Sequence, residues 1–242
     1  MTLDAASRFG PWLALRDVYF TFAKTLYYVA YGRREPGAVT RQMYEIGNRS
    51  LGFVCIVMGF IGMILVYQGA LQNQRVLPDL SRLGATFLEV LVRDLAASIC
   101  ALMLATRVGA GIAAELGSMV VTEQVDALRM CAAEPLDYLV KPRLLASVVM
   151  TFALIVISGT VAYVAGMWTG YTFFDINPRT FADTSLVDVG DACVGLAKCV
   201  AYGAAIPVIS AQPGLSAFGG SPGVGAATSR ALGNSLLAVV VL

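Results

Sequence analysis

The sequence predicts an all-α membrane protein with an N-terminal interfacial helix, about five transmembrane helices and a cytoplasmic coupling helix between the second and third spans. Hydrophobic residues make up 57% of the 242-residue chain, and the mean hydropathy is +0.72. Charged residues make up only 14%, against about 25% in an average soluble domain. Several apolar stretches also reach the roughly 20 residues that a helix needs to cross a bilayer.

The N-terminal stretch Phe9–Tyr31 is aromatic and is interrupted by Arg16, Asp17 and Lys24. This pattern predicts a helix lying in the membrane interface, with its aromatic rings at the level of the headgroups. An ordinary amphipathic helix packed on the bundle explains the pattern equally well. Nothing before Arg49 fits a cleavable signal peptide. We therefore divide the chain into an N-terminal interfacial and cytoplasmic segment, 1–46, and a transmembrane domain, 47–242.

Apolar length predicts five spans. The first and third are the clearest, whereas the second and fourth carry charges within them. The last has Arg230 near its start, so we expect it either to begin earlier than Val224 or to continue beyond Leu242. The predicted spans are Leu51–Ala70, Leu83–Ala105, Leu145–Tyr171, Leu186–Ile209 and Val224–Leu242.

The distribution of basic residues predicts the orientation. Seven lysines and arginines precede the first span and four lie between the second and third, whereas three lie in the connections on the opposite side. Because basic residues concentrate in cytoplasmic loops, the N-terminus and the segment between the second and third spans are expected to face the cytoplasm.

The segment between the second and third spans is Ala113–Tyr138 (AAELGSMVVTEQVDALRMCAAEPLDY). Connections in helical bundles are usually about 2–8 residues long, so this polar stretch exceeds what a connector needs. We expect it to contain a coupling helix that lodges in a groove of a cytoplasmic motor protein, with a solvated connector as the alternative. The candidate coupling residues are Glu115, Thr122, Glu123, Gln124, Asp126, Ala127 and Leu128.

Local sequence signals predict where this helix begins and ends. Gly117 and Ser118 are expected to break the preceding helical run, and Thr122 to cap a short helix over Glu123–Met130. Acidic residues in its first turn complement the helix dipole. Pro135 is expected to close the segment.

Three charged residues lie well inside apolar stretches: Arg93 and Asp94 in the second span and Lys198 in the fourth. A charge at the bilayer centre costs roughly 2.5–3.5 kcal/mol on insertion scales, so such residues face a cavity or each other. In one interpretation, Asp94 pairs with Arg93 or Lys198 and joins the two spans. In the other, the cations line a cavity and meet the phosphate of a lipid headgroup, which we favour for Lys198. Asp188 and Asp191 are expected at the membrane interface.

The sequence offers little for catalysis or metal binding. Histidine is absent, and the five cysteines contain no C-x-x-C pair. None of the three lysines stands in a phosphate-binding loop. We therefore expect no catalytic residue, metal site or cofactor, and any ATP must be bound by a partner subunit. A formal charge of +1 gives no reason to expect nucleic acid as a ligand.

Three blocks of sequence resemble the MlaE/YrbE family of permeases, the membrane subunits of lipid-trafficking ABC transporters associated with MCE proteins. The longest block is Thr106–Ala146 (TRVGAGIAAELGSMVVTEQVDALRMCAAEPLDYLVKPRLLA). The run LVRDLA at Leu91–Ala96 resembles the family's arginine–acid pair in the second span. The run GGSPGVGAATSRAL at Gly219–Leu232 resembles its glycine-rich entrance to the last span. The resemblance covers nearly the whole chain from Gly47.

This resemblance implies a function and a set of partners. The chain would be the permease subunit of an ATP-driven transporter that moves phospholipid or a similar amphiphile between the bacterial inner membrane and a periplasmic MCE carrier. It would form a homodimer, and a cytoplasmic ABC ATPase would dock on the Glu123–Leu128 region. A STAS-domain regulator is a further partner implied by the family. Family positions matching Arg93, Asp94 and Lys198 lie near the substrate cavity.

Two other functions fit parts of the sequence. An ion-coupled secondary transporter could use Arg93, Asp94 and Lys198 as a charge relay, although such carriers commonly contain internal repeats and none is evident. An intramembrane enzyme with Lys198 or Asp94 as a base ranks last, because no nucleophile stands in a recognisable partnership.

Overall fold

The computed structural model describes residues 11–31, 37–76 and 82–242, and within them the regular elements are helices. Four short segments with π-helical hydrogen bonding lie between consecutive α-helices: Tyr44–Asn48, Leu91–Leu95, Ala105–Gly109 and Leu136–Val140. The α-helices are α1 (Pro11–Tyr31), α2 (Ala38–Met43), α3 (Arg49–Val76), α4 (Leu83–Val90), α5 (Ala96–Leu104), α6 (Ala110–Val121), α7 (Gln124–Met130), α8 (Lys141–Phe174), α9 (Pro178–Phe181), α10 (Val189–Leu215) and α11 (Ser221–Val241).

Length and composition confirm an all-α membrane protein. Among the described residues, four helical stretches are long and apolar enough to cross a membrane: Ala38–Gln74, Leu136–Phe174, Val189–Leu215 and Ser221–Val241. The last begins three residues before the predicted start. The predicted second span lies in the helical run from α4 to α5 and is not one of the four. A total of five spans therefore remains a prediction, as does the interfacial position of α1; Phe9 lies outside the described residues.

The helices form two compact units. One comprises Ala105–Ser147 and Ala204–Val241 together with the described part of Met1–Met43. The other comprises the described part of Tyr44–Leu104 together with Val148–Gly203 and Leu242. We call them the first and second units. This division groups the residues by packing and differs from the predicted division of the chain at residue 46, which was drawn along the sequence.

In the second unit, glycines allow helices to approach at backbone distance. A methyl group added at Gly62 of α3 would overlap the carbonyl oxygen of Ala162 in α8, and one added at Gly84 of α4 would overlap that of Phe181 in α9. The Tyr163 hydroxyl donates a hydrogen bond to the Phe181 carbonyl at 2.9 Å. The Phe181 ring also packs against Phe87 and Tyr163. The chain between α8 and α10 is therefore held against the helices by both ring packing and backbone contacts.

The core of the first unit is built on α6. This helix packs along α11, and Gly117 leaves room for Ala217 and Val224. The buried hydroxyls of Ser210 in α10 and Ser235 in α11 are 3.0 Å apart and share a hydrogen bond. These two hydroxyls thus satisfy each other inside an apolar environment.

Gly62→Ala should destabilise the protein, because the added methyl meets backbone that cannot move aside. Forced overpacking of this kind costs about 1–3 kcal/mol, which thermal unfolding of the purified protein would detect. Gly52→Ala in the same helix is the matched control, since a methyl there meets nothing within 4 Å and alanine favours helix. Equal melting temperatures for the two variants would contradict the close approach of α3 and α8.

Candidate coupling helix and intramembrane charges

The predicted break at Gly117 and Ser118 is wrong. Helix α6 continues through both residues to Val121. Gly117 is buried where α6 meets its neighbours: a β-carbon there would lie 3.3 Å from Val224 and 3.4 Å from Ala217. Glycine at this position therefore serves close packing inside the helix, and the surrounding contacts outweigh its low helix propensity.

The predicted role of Thr122 as an N-cap is also wrong. Its hydroxyl donates to the Ser118 carbonyl at 2.9 Å, and its backbone N–H donates to the same oxygen at 3.0 Å. Thr122 therefore ends α6. Glu123 follows in a left-handed conformation with φ of 60° and makes no side-chain cap, so α7 begins at Gln124.

Pro135 closes the polar segment, as expected, by beginning the next helix. It has helical dihedral angles and directly precedes Leu136–Val140, which leads into α8. Proline is suited to the start of a helix, where its missing N–H is not needed. The connection outside the long helices is consequently confined to residues 122–134, with α7 inside it.

Helix α7 is short, exposed and anchored at one point. Val125 is buried, with 3% of its surface exposed. Asp126 and Arg129 are exposed and form an ion pair of 3.1 Å, while Met130 at the end of the helix is 89% exposed. Helix α7 therefore exposes both charged and apolar side chains, while the buried side chain of Val125 attaches it to the rest of the first unit.

A shallow groove of about 300 Å³ lies along one face of α7. Its α7 members, Gln124, Ala127 and Leu128, stand at i, i+3 and i+4, the spacing that puts residues on one face of a helix. The groove is almost entirely apolar and belongs to the first unit. It is lined by Met119, Gln124, Ala127, Leu128, Cys131 and Tyr138.

Two ion pairs hold the chain on either side of α7. Glu115 in α6 accepts from the guanidinium of Arg143 in α8 at 2.9 Å, and the Arg143 side chain is only 3% exposed. Lys24 in α1 pairs with Glu134 at 3.1 Å, and α1 packs against Leu136–Val140. Glu115 thus anchors the base of the segment. Sequence patterns gave no signal for the Lys24–Glu134 pair, because its members are 110 residues apart.

In the second unit, the charges predicted inside the spans form two ion pairs between the α4–α5 run and α10. Lys198 contacts the carboxylate of Asp94, with 24% and 51% of the two side chains exposed. Arg93 lies 3.5 Å from Asp191. Between the two pairs, a methyl added at Gly195 would overlap the Val92 carbonyl. The α4–α5 run and α10 therefore cross at a point where their backbones touch and where both ion pairs form.

An apolar cavity of about 320 Å³ lies beside this crossing. Its walls come from the α4–α5 run, α8 and α10, all within the second unit. Sequence reasoning did not find it, because its lining residues resemble ordinary lipid-facing or core positions. They are Leu88, Leu91, Val92, Ala96, Phe152, Ile155, Val156, Gly159, Thr160, Tyr163, Ala192, Gly195, Leu196 and Cys199.

The structure brings the predicted residues together in two groups. One group lies on or next to α7: Glu123, Gln124, Asp126, Ala127 and Leu128. The other group consists of two ion pairs, Asp94 with Lys198 and Arg93 with Asp191. Groups of three metal-binding side chains are absent from the part of the chain that the structure describes.

Relatives of known class resemble the chain over most of its length. It is 32% identical to a "Probable ABC transporter permease protein" of Synechocystis over 92% of this chain and 85% of the relative. It is 33% identical to a protein of the same description from Rickettsia felis, over 84% of this chain and 79% of the relative. A third such protein, from Pyropia yezoensis, is 29% identical over 84% of this chain and 78% of the relative. These likenesses define the class as an ABC transporter permease, which works with an ATPase partner.

The family follows from a second comparison. The sequence profile of the family described as Permease MlaE matches residues 39–242. The chain belongs to this family, and the resemblance found in its sequence blocks is confirmed.

Asp94→Asn should destabilise the protein by about 2 kcal/mol, because Lys198 would lose the charged acceptor of its hydrogen bond. Asp126→Asn is the control on an exposed pair, for which the expected loss is below about 1 kcal/mol. Thermal unfolding would measure both. The reversed pair Asp94→Lys with Lys198→Asp should recover stability relative to either single variant, and additive losses in this double-mutant cycle would contradict the ion pair.

Proposed function

We propose that the chain is the permease subunit of an ATP-driven transporter that moves phospholipid or a similar amphiphile between the inner membrane and a periplasmic MCE carrier. The observation that carries this proposal is the exposed, anchored helix α7. In the proposed transporter, ATP is bound and hydrolysed by a partner subunit. The permease therefore needs a surface through which the movement of that ATPase reaches it. Helix α7 supplies that surface.

The packing around α7 explains how force could reach the long helices. Val125 joins α7 to the first unit, and Glu115–Arg143 connects α6 with the start of α8. The Lys24–Glu134 pair adds α1. A displacement of α7 by a partner is therefore resisted by three helices rather than absorbed by a loose loop. The Glu123–Leu128 region, with Asp126 exposed at its centre, is the proposed contact with the ATPase.

An amphiphilic substrate is supported by the second unit. An apolar cavity and ionic side chains occur at the same helix crossing, and a lipid requires both kinds of surface. Charges within apolar helices are costly unless they face each other, water or a polar ligand. We therefore place the headgroup near Arg93, Asp94 and Lys198 and acyl chains along the apolar walls.

The proposed assembly is a homodimer in the bacterial inner membrane with a cytoplasmic N-terminus, an ATPase on the cytoplasmic side and an MCE protein on the other. A STAS-domain regulator is part of the same proposal. Helix α11 supports dimerisation: Gly225, Ser229 and Gly233 form an exposed row of small residues, with exposed Asn234 beside them. Polar and small residues exposed on an apolar helix favour contact with another helix over contact with lipid.

Membership of an ABC permease family favours this function over the ion-coupled secondary transporter. The paired state of Lys198 and Asp94 also gives the charges a structural role that requires no proton relay. Uptake that follows a proton or sodium gradient and ignores depletion of ATP would favour the secondary transporter.

Asp126→Arg should abolish co-purification of the P-loop ATPase with the permease, because it reverses the charge at the centre of the exposed face of α7. The loss should exceed about tenfold in the amount retained, as for a charged residue at the middle of an interface. Quantitative mass spectrometry of the complex purified from native membranes would measure it.

The matched control exchanges the two partners, Asp126→Arg with Arg129→Asp. This variant retains an ion pair on α7 but still reverses the charges that a partner meets, so it should also fail to retain the ATPase. Recovery of the ATPase in the exchanged variant would show that Asp126 serves helix stability alone, and unchanged binding by Asp126→Arg would exclude α7 as the docking site.

A further inference from the structure

Two apolar side chains of the first unit, Met130 and Phe218, are more exposed than any other large hydrophobic residue among those described. Each is 89% exposed. Apolar residues on the faces of the long helices are partly covered by their neighbours, as Phe60 in α3 shows with 61%. Met130 ends α7, whereas Phe218 lies in the connection between α10 and α11, which we call the Phe218 turn (residues 216–220). Docking through α7 alone gives Phe218 no role.

The backbone of the Phe218 turn is closely constrained although the ring is exposed. Gly219 and Gly220 have φ of 93° and 75°, in the left-handed region that favours glycine. A methyl group added at Gly223, in the first turn of α11, would overlap the carbonyl oxygen of Phe218. The turn is therefore held against the start of α11. A contact residue on a fixed backbone loses less conformational entropy when a partner binds.

The Phe218 turn and α7 lie at the same end of the first unit. Helices α6 and α10 run in the same direction, because a β-carbon at Gly109, just before α6, would lie 2.8 Å from the Ser210 hydroxyl, and one at Gly117 would lie 3.4 Å from Ala217. Ala217 directly precedes Phe218. Helix α6 ends about one turn beyond Gly117, and α7 follows it. A partner that reaches α7 therefore meets the Phe218 turn nearby.

Helix α7 by itself is too small for a stable interface. It has seven residues, whereas a specific protein–protein interface engages about 20–30 residues on each side. A partner that binds α7 must therefore also contact neighbouring surface. Aromatic residues are enriched in the buried centres of interfaces, and the small residues Gly219, Gly220 and Ser221 leave the Phe218 ring accessible to a partner.

A position at the membrane interface is the other explanation for an exposed phenylalanine. Anchors at that level are typically tryptophan and tyrosine, and basic residues concentrate in the loops on the cytoplasmic side. Residues 203–229 contain no tryptophan, tyrosine, lysine or arginine, whereas α1 carries Tyr19, Tyr27 and Lys24. The composition around Phe218 therefore favours a contact with protein over an anchor in the headgroups.

We propose that the Phe218 turn is a second docking point for the ATPase, which receives the Phe218 ring in an apolar pocket beside its contact with α7. This inference rests on the proposed docking of the ATPase on α7 and extends that contact to the entrance of α11. Helix α11 begins directly after the turn and packs along α6. Movement of the ATPase would thus act on α11 directly, in addition to the helices that hold α7.

The test measures the ATPase retained by full-length permease variants purified in detergent from native membranes. Phe218→Ala should lower the amount of ATPase per permease about tenfold, the loss expected for an aromatic residue at the centre of an interface. Phe218→Leu should retain more ATPase than Phe218→Ala, because an apolar pocket still accepts leucine. Quantitative mass spectrometry gives the ratio of the two proteins.

Phe60→Ala is the matched control, since it removes an exposed phenylalanine from the apolar helix α3. It should retain the ATPase at the wild-type level. Equal losses in Phe60→Ala and Phe218→Ala would show a general effect of apolar surface and overturn the second docking point. Wild-type retention by Phe218→Ala would also overturn it and leave the membrane as the surface that Phe218 contacts.

Asp126→Arg separates this inference from the proposed function. If Asp126→Arg loses the ATPase while Phe218→Ala keeps it, the second docking point is wrong and docking on α7 stands. If no ATPase co-purifies with the wild type, the proposed function is contradicted and the second docking point with it.

Amide hydrogen exchange of the wild type keeps the inference testable should Phe218→Ala fail to fold. Addition of the purified ATPase to the permease should slow exchange in residues 216–222 as well as in α7, because both become covered. Slower exchange in α7 with no change in residues 216–222 would reject the second docking point.

Discussion

The pairing of charges within apolar helices is the constraint on which the second unit depends. A cation or carboxylate exposed to hydrocarbon is costly, so the helix that carries Arg93 and Asp94 must meet another helix with complementary groups. Helix α10 provides Asp191 and Lys198, two turns apart on one face. The glycine between them, Gly195, allows the backbones to approach until both pairs can form. One crossing thereby fixes the position of the charges and one edge of the apolar cavity.

A different arrangement positions the candidate coupling helix. Helix α7 has little internal support: it has seven residues, no side-chain cap and one exposed ion pair. Its position comes from Val125 and from the ion pairs that hold the flanking chain. Short helices are marginal alone and depend on tertiary packing. An exposed helix that is rigid through its attachments can transmit displacement, which is the mechanical requirement for a permease driven by another subunit.

Much of the fold could be predicted from sequence, because apolar length and charge are local properties. The long apolar runs predicted α3, α8 and α10, and the polar stretch Ala113–Tyr138 predicted a separate short helix. One error arose where tertiary packing outweighs local preference, and the other where a side chain suited to start one helix ends the preceding one. Gly117 was expected to break a helix, whereas the helix needs a small residue against Val224. Thr122 has the chemistry of an N-cap but completes the preceding turn.

The candidate site was only partly predictable for the same reason. Arg93, Asp94 and Lys198 were evident because a charge in an apolar run is conspicuous. The pairing of Arg93 with Asp191 was not predictable, since sequence spacing cannot show that two residues 98 positions apart meet. The apolar cavity was not predictable, because its residues differ from other apolar helix positions only in what they face.

The most direct test of the account is transfer of fluorescent phospholipid between vesicles by the permease reconstituted with its ATPase. We expect transfer to require ATP hydrolysis and both subunits, and to stop when the ATPase is inactivated in its nucleotide site. Transfer that proceeds equally well without ATP, or that follows an imposed ion gradient, would contradict the claim that α7 receives the work of a nucleotide hydrolase.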